Sequence, residues 1–563
     1  MIIQRANQLL NGLRARRWWR IFLAPFGVSV LGIVLGSICF FTSLTPSLVP
    51  RSGLLQGVLA GCCFAAGYGV GVGVKFIWTW LGLPRLDRTK RNMAIKIAIG
   101  TAVAFIVAGL VMAAHWQQDV HTAMGLPPVE TVRPFTIAGV AGVVAILLLS
   151  IGRVFRLAVQ ISSKWLAEHL PQKVALLASL VATIAAFVFI GGDVIIGGAF
   201  TAFDKTYARI DATLPDDGQS PSDPLATGSP ASLIDWSSMG AEGRAFVSQG
   251  PDASAISAVT DRPALQPLRI YVGMGSAETA AERARLALNE AIRVGAFERD
   301  ALVIATPTGT GWMDPSAHFP LEVLLDGDVA TVGVQYSYLP SWLSLLAVPE
   351  YGAESARAVF LAFHDFWSRL PEDTRPKLYL FGLSLGAINT DLSYDFYDVV
   401  DAPMDGVFMS GPPFTSRGWG QLTRDRDAGT PAWLPRFRNG EVVRFMNQNG
   451  IPPQSGEWGS TRILYLQYAT DGIVFFSPSL IWQRPEWLDQ PRGPGVSPRL
   501  RWVPIVTFLQ VGFDLLTATT TPSGQGHVYA GVDYMTGWNA MLGTDRSPEE
   551  LARLKNAMAE RDL

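Results

Sequence analysis

The stretch Leu378-Tyr379-Leu380-Phe381-Gly382-Leu383-Ser384-Leu385-Gly386-Ala387-Ile388-Asn389 decides the reading of this chain. Residues 377–382 read as a strand, with Leu378 to Phe381 apolar and rich in strand formers, and the residues after Gly386 can open a helix. Between them lies a G-x-S-x-G pattern that occurs once. Alone the pattern is weak. In a strand-turn-helix setting it describes a tight corner that holds a serine hydroxyl clear of the sheet edge, with glycines where side chains would clash.

Working outward, strand-like runs alternate with amphipathic helical ones, the pattern of an α/β domain with a mostly parallel sheet. Strands are expected at 268–272, 301–306, 329–336, 377–382, 405–409 and 462–469, and helices at 277–294 and 354–370. A serine is a poor nucleophile at neutral pH and needs an oriented base. Of the six histidines only His527 follows Ser384, in Gly524-Gln525-Gly526-His527-Val528-Tyr529. His318 falls just past a glycine-rich loop, where it could line the site, and His364 on the helix before the corner reads as structural.

The orienting acid should lie between Ser384 and His527, directly after a strand. Asp471, in Ala469-Thr470-Asp471-Gly472, meets that condition. Asp405 precedes its strand, Asp391, Asp395 and Asp398 fall on the helix after the corner, and Asp489 and Asp514 are rivals. Stabilising an oxyanion takes backbone N–H donors. One is expected from Leu385. Another is expected from the loop after the strand two positions earlier, Thr308, Gly309 and Thr310 in Thr308-Gly309-Thr310-Gly311-Trp312. That loop lacks the lysine of a phosphate-binding loop.

The N-terminal third is different. Apolar segments at 21–41, 57–80, 94–114, 135–151 and 174–192 read as about five membrane spans, most near the roughly 20 residues a bilayer requires. Basic residues cluster in the N-terminal tail (Arg5, Arg14, Arg16, Arg17, Arg20), the second-to-third loop (Arg85, Arg88, Lys90, Arg91) and the fourth-to-fifth loop (Arg153, Arg156, Lys164, Lys173). The remaining loops offer mainly Arg51 and Arg133. This alternation predicts a cytoplasmic N-terminus and an extracytoplasmic C-terminal domain. Gly57, Gly61, Gly67, Gly69, Gly71 and Gly73 in the second span suit close helix packing better than a transport path. Asp193 reads as marking the outer end of the fifth span. Pro-, Ser- and Gly-rich residues 214–232 read as an extended or irregular linker.

Composition excludes several classes. Of 563 residues 49% are hydrophobic and only 16% charged, against roughly 25% charged in soluble domains. Lys+Arg 45 against Asp+Glu 47 leaves a net charge of −2, so no basic field for nucleic acid exists. All three cysteines, Cys39, Cys62 and Cys63, sit in the apolar region, which leaves no thiolate zinc site or disulfide for the remainder.

Five segments together resemble a bacterial family of membrane-anchored α/β-hydrolases: Gly240-x-x-Gly243-Arg244-x-Phe246-Val247, Thr308-Gly309-Thr310-Gly311-Trp312, Gln335-Tyr336-Ser337, Gly382-Leu383-Ser384-Leu385-Gly386 and Gly524-Gln525-Gly526-His527-Val528-Tyr529. The resemblance implies the α/β-hydrolase fold and reaction class, not a ligand. The expected layout is a multi-pass membrane domain over 1–200, a linker and lead-in segment over 201–262, and an α/β-hydrolase domain over 263–563. One departure is that residues 502–520 read partly as strand and partly as helix. The expectation is a serine hydrolase at a lipid surface. Ser384 would be its nucleophile, His527 its base and Asp471 its orienting acid. It would need no metal or organic cofactor, and its substrate would be a lipid, aminoacyl-lipid or envelope ester. Acyl transfer on the same triad and a non-catalytic binding module are the alternatives. Trp342, Trp433, Trp458, Trp482 and Trp487 are expected near the surface.

Overall fold

The computed structural model describes residues 29–84, 87–191, 211, 219–340 and 349–560. The basic N-terminal tail, the start of the first expected span, Arg85, Gly192, Asp193, Trp342 and residues 214–218 of the expected linker lie outside the described residues. The chain begins as a helical bundle: α1 (Val30–Ser43), α2 (Gly53–Trp80), α3 (Arg88–Ala123), α4 (Pro134–Leu166) and α5 (Gln172–Phe189). Four of these, α2 to α5, are apolar and long enough to cross a membrane. At 1.5 Å rise per residue, the 14 residues of α1 reach only about 21 Å. Outward-facing residues of the bundle are apolar, among them Val107, Val111, Val143, Leu147, Leu177 and Val188.

The glycines of α2 divide by face. A Cβ on Gly57 or Gly61 would meet Val140 and Val144 of α4 at 2.8 and 2.7 Å. On Gly71 it would strike the Gly32 backbone of α1 at 2.4 Å, whereas Gly69 and Gly73 face nothing within 4 Å among the described residues. The spacing of four therefore serves contact with α1 and α4.

The second part of the chain comprises α6 (Gly240–Gln249), β1 (Leu268–Val272), α7 (Ala280–Arg293), β2 (Ala301–Thr306), α8 (Pro315–Leu324), β3 (Val329–Val334), α9 (Pro349–Ser368), β4 (Lys377–Leu383), α10 (Leu385–Asp391), β5 (Gly406–Ser410), β6 (Val443–Met446), β7 (Arg462–Leu466), α11 (Val506–Thr517) and α12 (Gly531–Leu542). All seven strands are parallel, in the order β1-β3-β2-β4-β5-β7-β6. β1, β3 and β5 are buried along their whole length, as a parallel sheet covered on both faces requires. α7 packs with α9 and α8 with α12. β2 and β5 flank β4, so the segments that follow these three strands share one sheet edge with the serine corner.

One expectation needs correction. The ambiguous stretch before His527 is α11, because its apolar run continues at helical spacing; the sheet edge is instead taken by β6, a strand missed in the sequence. The described part of the linker is irregular but not free. Thr227 is buried with its hydroxyl on the Arg269 carbonyl (3.0 Å), and Ser232 and Leu233 donate to Glu290 (2.6 and 3.0 Å). Polar anchoring substitutes there for an apolar core.

The sheet domain sits on the bundle. Leu48 and Val49 of the α1–α2 connection, with Val120 in the last turn of α3 and Met124 just past it, belong to the same hydrophobic cluster as the sheet. Val506 of α11 packs with Leu59 and Cys63 of α2. Arg51 and Asp514 pair at 2.7 Å with both side chains fully enclosed. Removing either partner would strand a buried charge, at about 3–5 kcal/mol.

Candidate active site

Ser384 stands between β4 and α10 with φ 57° and ψ −122°. This backbone conformation is costly for a side-chain-bearing residue and persists only where its surroundings impose it. Both flanking glycines are sterically required. A Cβ on Gly382 would lie 2.3 Å from the Gly386 carbonyl oxygen, and one on Gly386 would lie 2.2 Å from the Thr306 carbonyl oxygen at the end of β2. Thr390 fastens α10 to the sheet by donating to Thr306 Oγ1 (3.0 Å) and to the Phe381 carbonyl (3.1 Å). Leu385 is the first helical residue of α10, so its N–H has no acceptor four residues earlier in a helix.

His527 and Asp471 meet. Nδ1 of His527 lies 2.6 Å from Asp471 Oδ2, and both side chains are buried. The same oxygen accepts the Tyr529 hydroxyl at 2.7 Å, and Oδ1 accepts the Ile473 N–H at 2.9 Å. Burial, and then the Asp471 charge, push the Tyr529 phenol well above its usual range. It therefore stays protonated and donates. With Nδ1 engaged, His527 Nε2 is buried and has no hydrogen-bond partner among the described residues.

The Ser410-Gly411 segment at the end of β5 links the base to the serine corner. The Ser384 N–H donates to the Ser410 carbonyl (2.9 Å), and a Cβ on Gly411 would lie 2.6 Å from His527 Cε1. Gly411 has φ +52°, so both its conformation and the space favour glycine. Asp314, the N-cap of α8, is also buried here. Desolvation raises its pKa to about 6, while the Ser316 N–H, Tyr534 and His527 act in the opposite direction.

The loop after β2 is braced by Tyr271 of β1 and by Gln335, with Gly243 packed behind Tyr271. Tyr271 donates to the Gly311 carbonyl (2.7 Å) and Gln335 Nε2 to the Thr310 carbonyl (2.9 Å). Gln335 Oε1 accepts the Met274 N–H (3.0 Å), and a Cβ on Gly243 would overlap the Tyr271 ring. Within the loop, the Thr308 N–H donates to the Trp312 carbonyl at 3.1 Å.

Other candidates lie elsewhere. His318 is buried between Phe246 and Phe381, at ring distances of 5.3 and 5.4 Å, and burial lowers its pKa to about 3. It is a neutral core residue, because α8 turns it under the sheet. His364 is structural, as expected, with Nε2 on the Ala402 carbonyl (2.8 Å). Asp405 accepts the Leu378 N–H (2.8 Å) at the opposite end of β4 from Ser384, and Asp489 pairs with Arg484 at 2.6 Å. Of the tryptophans, Trp482 is exposed, Trp433 and Trp458 are half-buried, and Trp487 is buried with Nε1 on the Phe475 carbonyl (3.1 Å). Tyr529, Gly411 and Asp314 were missed. Tyr529 was within reach, two residues past His527 in the quoted loop. Among the described residues, no group of three or more His, Cys, Asp or Glu side chains could hold a metal ion.

A parallel sheet with a strained serine corner at a central strand, and a paired acid and histidine beside the neighbouring strand end, defines a hydrolase-type α/β protein. The chain belongs to the alpha/beta-hydrolase family, whose profile matches residues 268–554, and the profile of that family's N-terminal region matches residues 44–251. No curated protein and no solved structure matches the chain.

Proposed function

We propose that the protein is a membrane-anchored serine hydrolase that cleaves an ester-type bond through an acyl-enzyme. Ser384 Oγ attacks the carbonyl carbon while His527 Nε2 takes its proton. Asp471 holds the imidazole through Nδ1 and stabilises the imidazolium. The oxyanion is met by the Leu385 N–H and by the loop after β2. There the Thr308 N–H is committed to the Trp312 carbonyl. His527 then returns the proton to the leaving alcohol, and water activated by the same nitrogen releases the acid.

The observation that carries this reading is the Asp471–His527 hydrogen bond, with the other ring nitrogen buried and unpartnered among the described residues, beside the segment that supports Ser384. The substrate class we favour is an ester held at a lipid surface. The apolar outer face of the bundle and the exposed Trp482, next to the segment entering α11, support this. The sheet domain packs against the α1–α2 and α3–α4 connections, at the bundle end opposite Arg88, Lys90, Arg91 and Lys173. By the positive-inside rule this favours a hydrolase domain outside the cytoplasm.

The test is labelling of the full chain with a fluorophosphonate probe. Wild type should label, and Ser384→Ala should not. An unlabelled wild type, or equal labelling of both, would overturn the proposal.

A further inference from the structure

α11 both touches the bundle and leads into the histidine loop. On its bundle side Asp514 accepts Arg51 Nη2 at 2.7 Å, the Leu48 N–H at 3.1 Å and the Ser47 hydroxyl. Arg51 Nη2 also donates to the Gln510 carbonyl (3.1 Å), and Nη1 reaches Gln56 Oε1 of α2 (3.3 Å). The Arg51 backbone N–H donates to Gln117 Oε1 of α3 (3.3 Å). Gln510 Nε2 in turn donates to the Ser43 and Thr45 carbonyls at the end of α1 (3.3 and 3.1 Å). Three bundle helices thereby converge on one turn of α11: α1 through the Gln510 amide, α2 through the buried Arg51 guanidinium and α3 through the Arg51 backbone.

On its other side α11 meets both members of the acid–base pair. A Cβ on Gly472, the residue after Asp471, would lie 3.1 Å from Asp514 Cβ and 3.4 Å from the Leu515 nitrogen. Ala518, immediately past α11, accepts the His527 N–H at 2.9 Å, and a Cβ on Gly526 would lie 2.8 Å from the same carbonyl oxygen. A displacement of Asp514 would reach the Asp471 turn by direct contact and the His527 loop one helical turn later. Misplacing a catalytic group by about 1 Å can cost about 100-fold in rate.

We propose that Arg51, a bundle residue, is a positioning residue for the Asp471–His527 pair, acting through Asp514 and α11. On this account the bundle sets the turnover of the hydrolase domain in addition to tethering it. The inference rests on the triad reading above.

The test uses the full chain in lipid nanodiscs, with p-nitrophenyl butyrate hydrolysis and the rate of fluorophosphonate inactivation as readouts. Arg51→Ala and Asp514→Asn should each lower kcat and the inactivation rate about 10- to 100-fold, with KM changed less than about twofold. The double variant should be no worse than the poorer single one, because both act on one route. Arg51→Lys should retain part of the lost rate. Arg499→Ala breaks the exposed Arg499–Asp119 contact between the same two parts of the chain (2.6 Å) and should leave both readouts unchanged. If Arg51→Ala does not fold, Arg51→Lys and Gln510→Ala carry the test, each with an expected loss of about threefold or more. Folded variants turning over at the wild-type rate while Ser384→Ala is dead would overturn the positioning role alone, as would fully additive losses or a change confined to KM. Wild-type turnover by Ser384→Ala would overturn the triad reading and this inference together.

Discussion

The bundle and the sheet domain solve opposite solvent problems. The sheet domain encloses large side chains such as Tyr271, Phe360 and Trp538, whereas the bundle turns Val111, Val143 and Val188 outward and brings small residues together inside. Both depend on glycine for close approach. In the bundle, helix backbones meet at Gly71 and Gly32; in the sheet domain, Gly386 lets a helix start against the end of a strand. The same residue type serves helix-to-helix contact inside the bundle in one region and a strained serine corner in the other. Buried polar groups separate the regions further. Those of the sheet domain are spread from Arg269 and Glu322 to Ser384 and His527, whereas Ser43, Ser47, Arg51, Gln56 and Gln117 of the bundle gather where it meets α11.

The sharpest way to break this contrast is at the acid. Asp471→Asn keeps the shape of the site but presents the wrong partner to the imidazole. The hydrolysis rate should fall by about 10⁴-fold with folding intact, measured as kcat beside a thermal melt. A loss below tenfold would return Asp471 to an ordinary buried carboxylate.

Next comes the buried histidine of the sheet domain. The His318 pKa is lowered from 6.5 to about 3 by burial. Between those values the unfolded chain binds the proton and the folded chain does not, so this group makes stability fall as pH drops below 6.5. At pH 4.5 the cost is about 3 kcal/mol. Melting temperature measured from pH 7 to 4.5 should therefore fall more steeply for wild type than for His318→Leu. Parallel curves would contradict this placement.

The smallest effects test the bundle. Gly71→Ala places a methyl against the Gly32 backbone and should destabilise by about 1–3 kcal/mol. Gly69→Ala, one face away with nothing within 4 Å among the described residues, should stay within about 0.5 kcal/mol of wild type. Thermal melts of the two variants in one detergent check the pair, and equal shifts would mean that the two faces of α2 are not distinguished by packing.

Much of the site was legible in the sequence because its parts sit at strand ends. Ser384, Asp471 and the Thr308–Gly311 loop each follow an apolar run directly, and His527 was the one histidine after the serine. What stayed hidden lacked a local pattern. Arg51 looked like a lone basic residue in a poor loop and Asp514 like a rival acid, since nothing along the chain pairs positions so far apart. α11 was ambiguous because a short apolar run fits strand and helix alike. The four-residue β6 lacks enough alternation to stand out, and the polar anchoring of Thr227 and Ser232 depends on partners in the folded domain.

The central claim is that Ser384 carries the acyl group. Rapid mixing of full-length protein with excess p-nitrophenyl butyrate, followed by acid quench and peptide mass analysis, tests it directly. The account predicts a burst of p-nitrophenol approaching one equivalent, with the butyryl mass on the peptide containing Ser384. Turnover without a burst, together with an unmodified Ser384 peptide at every time sampled, would contradict it.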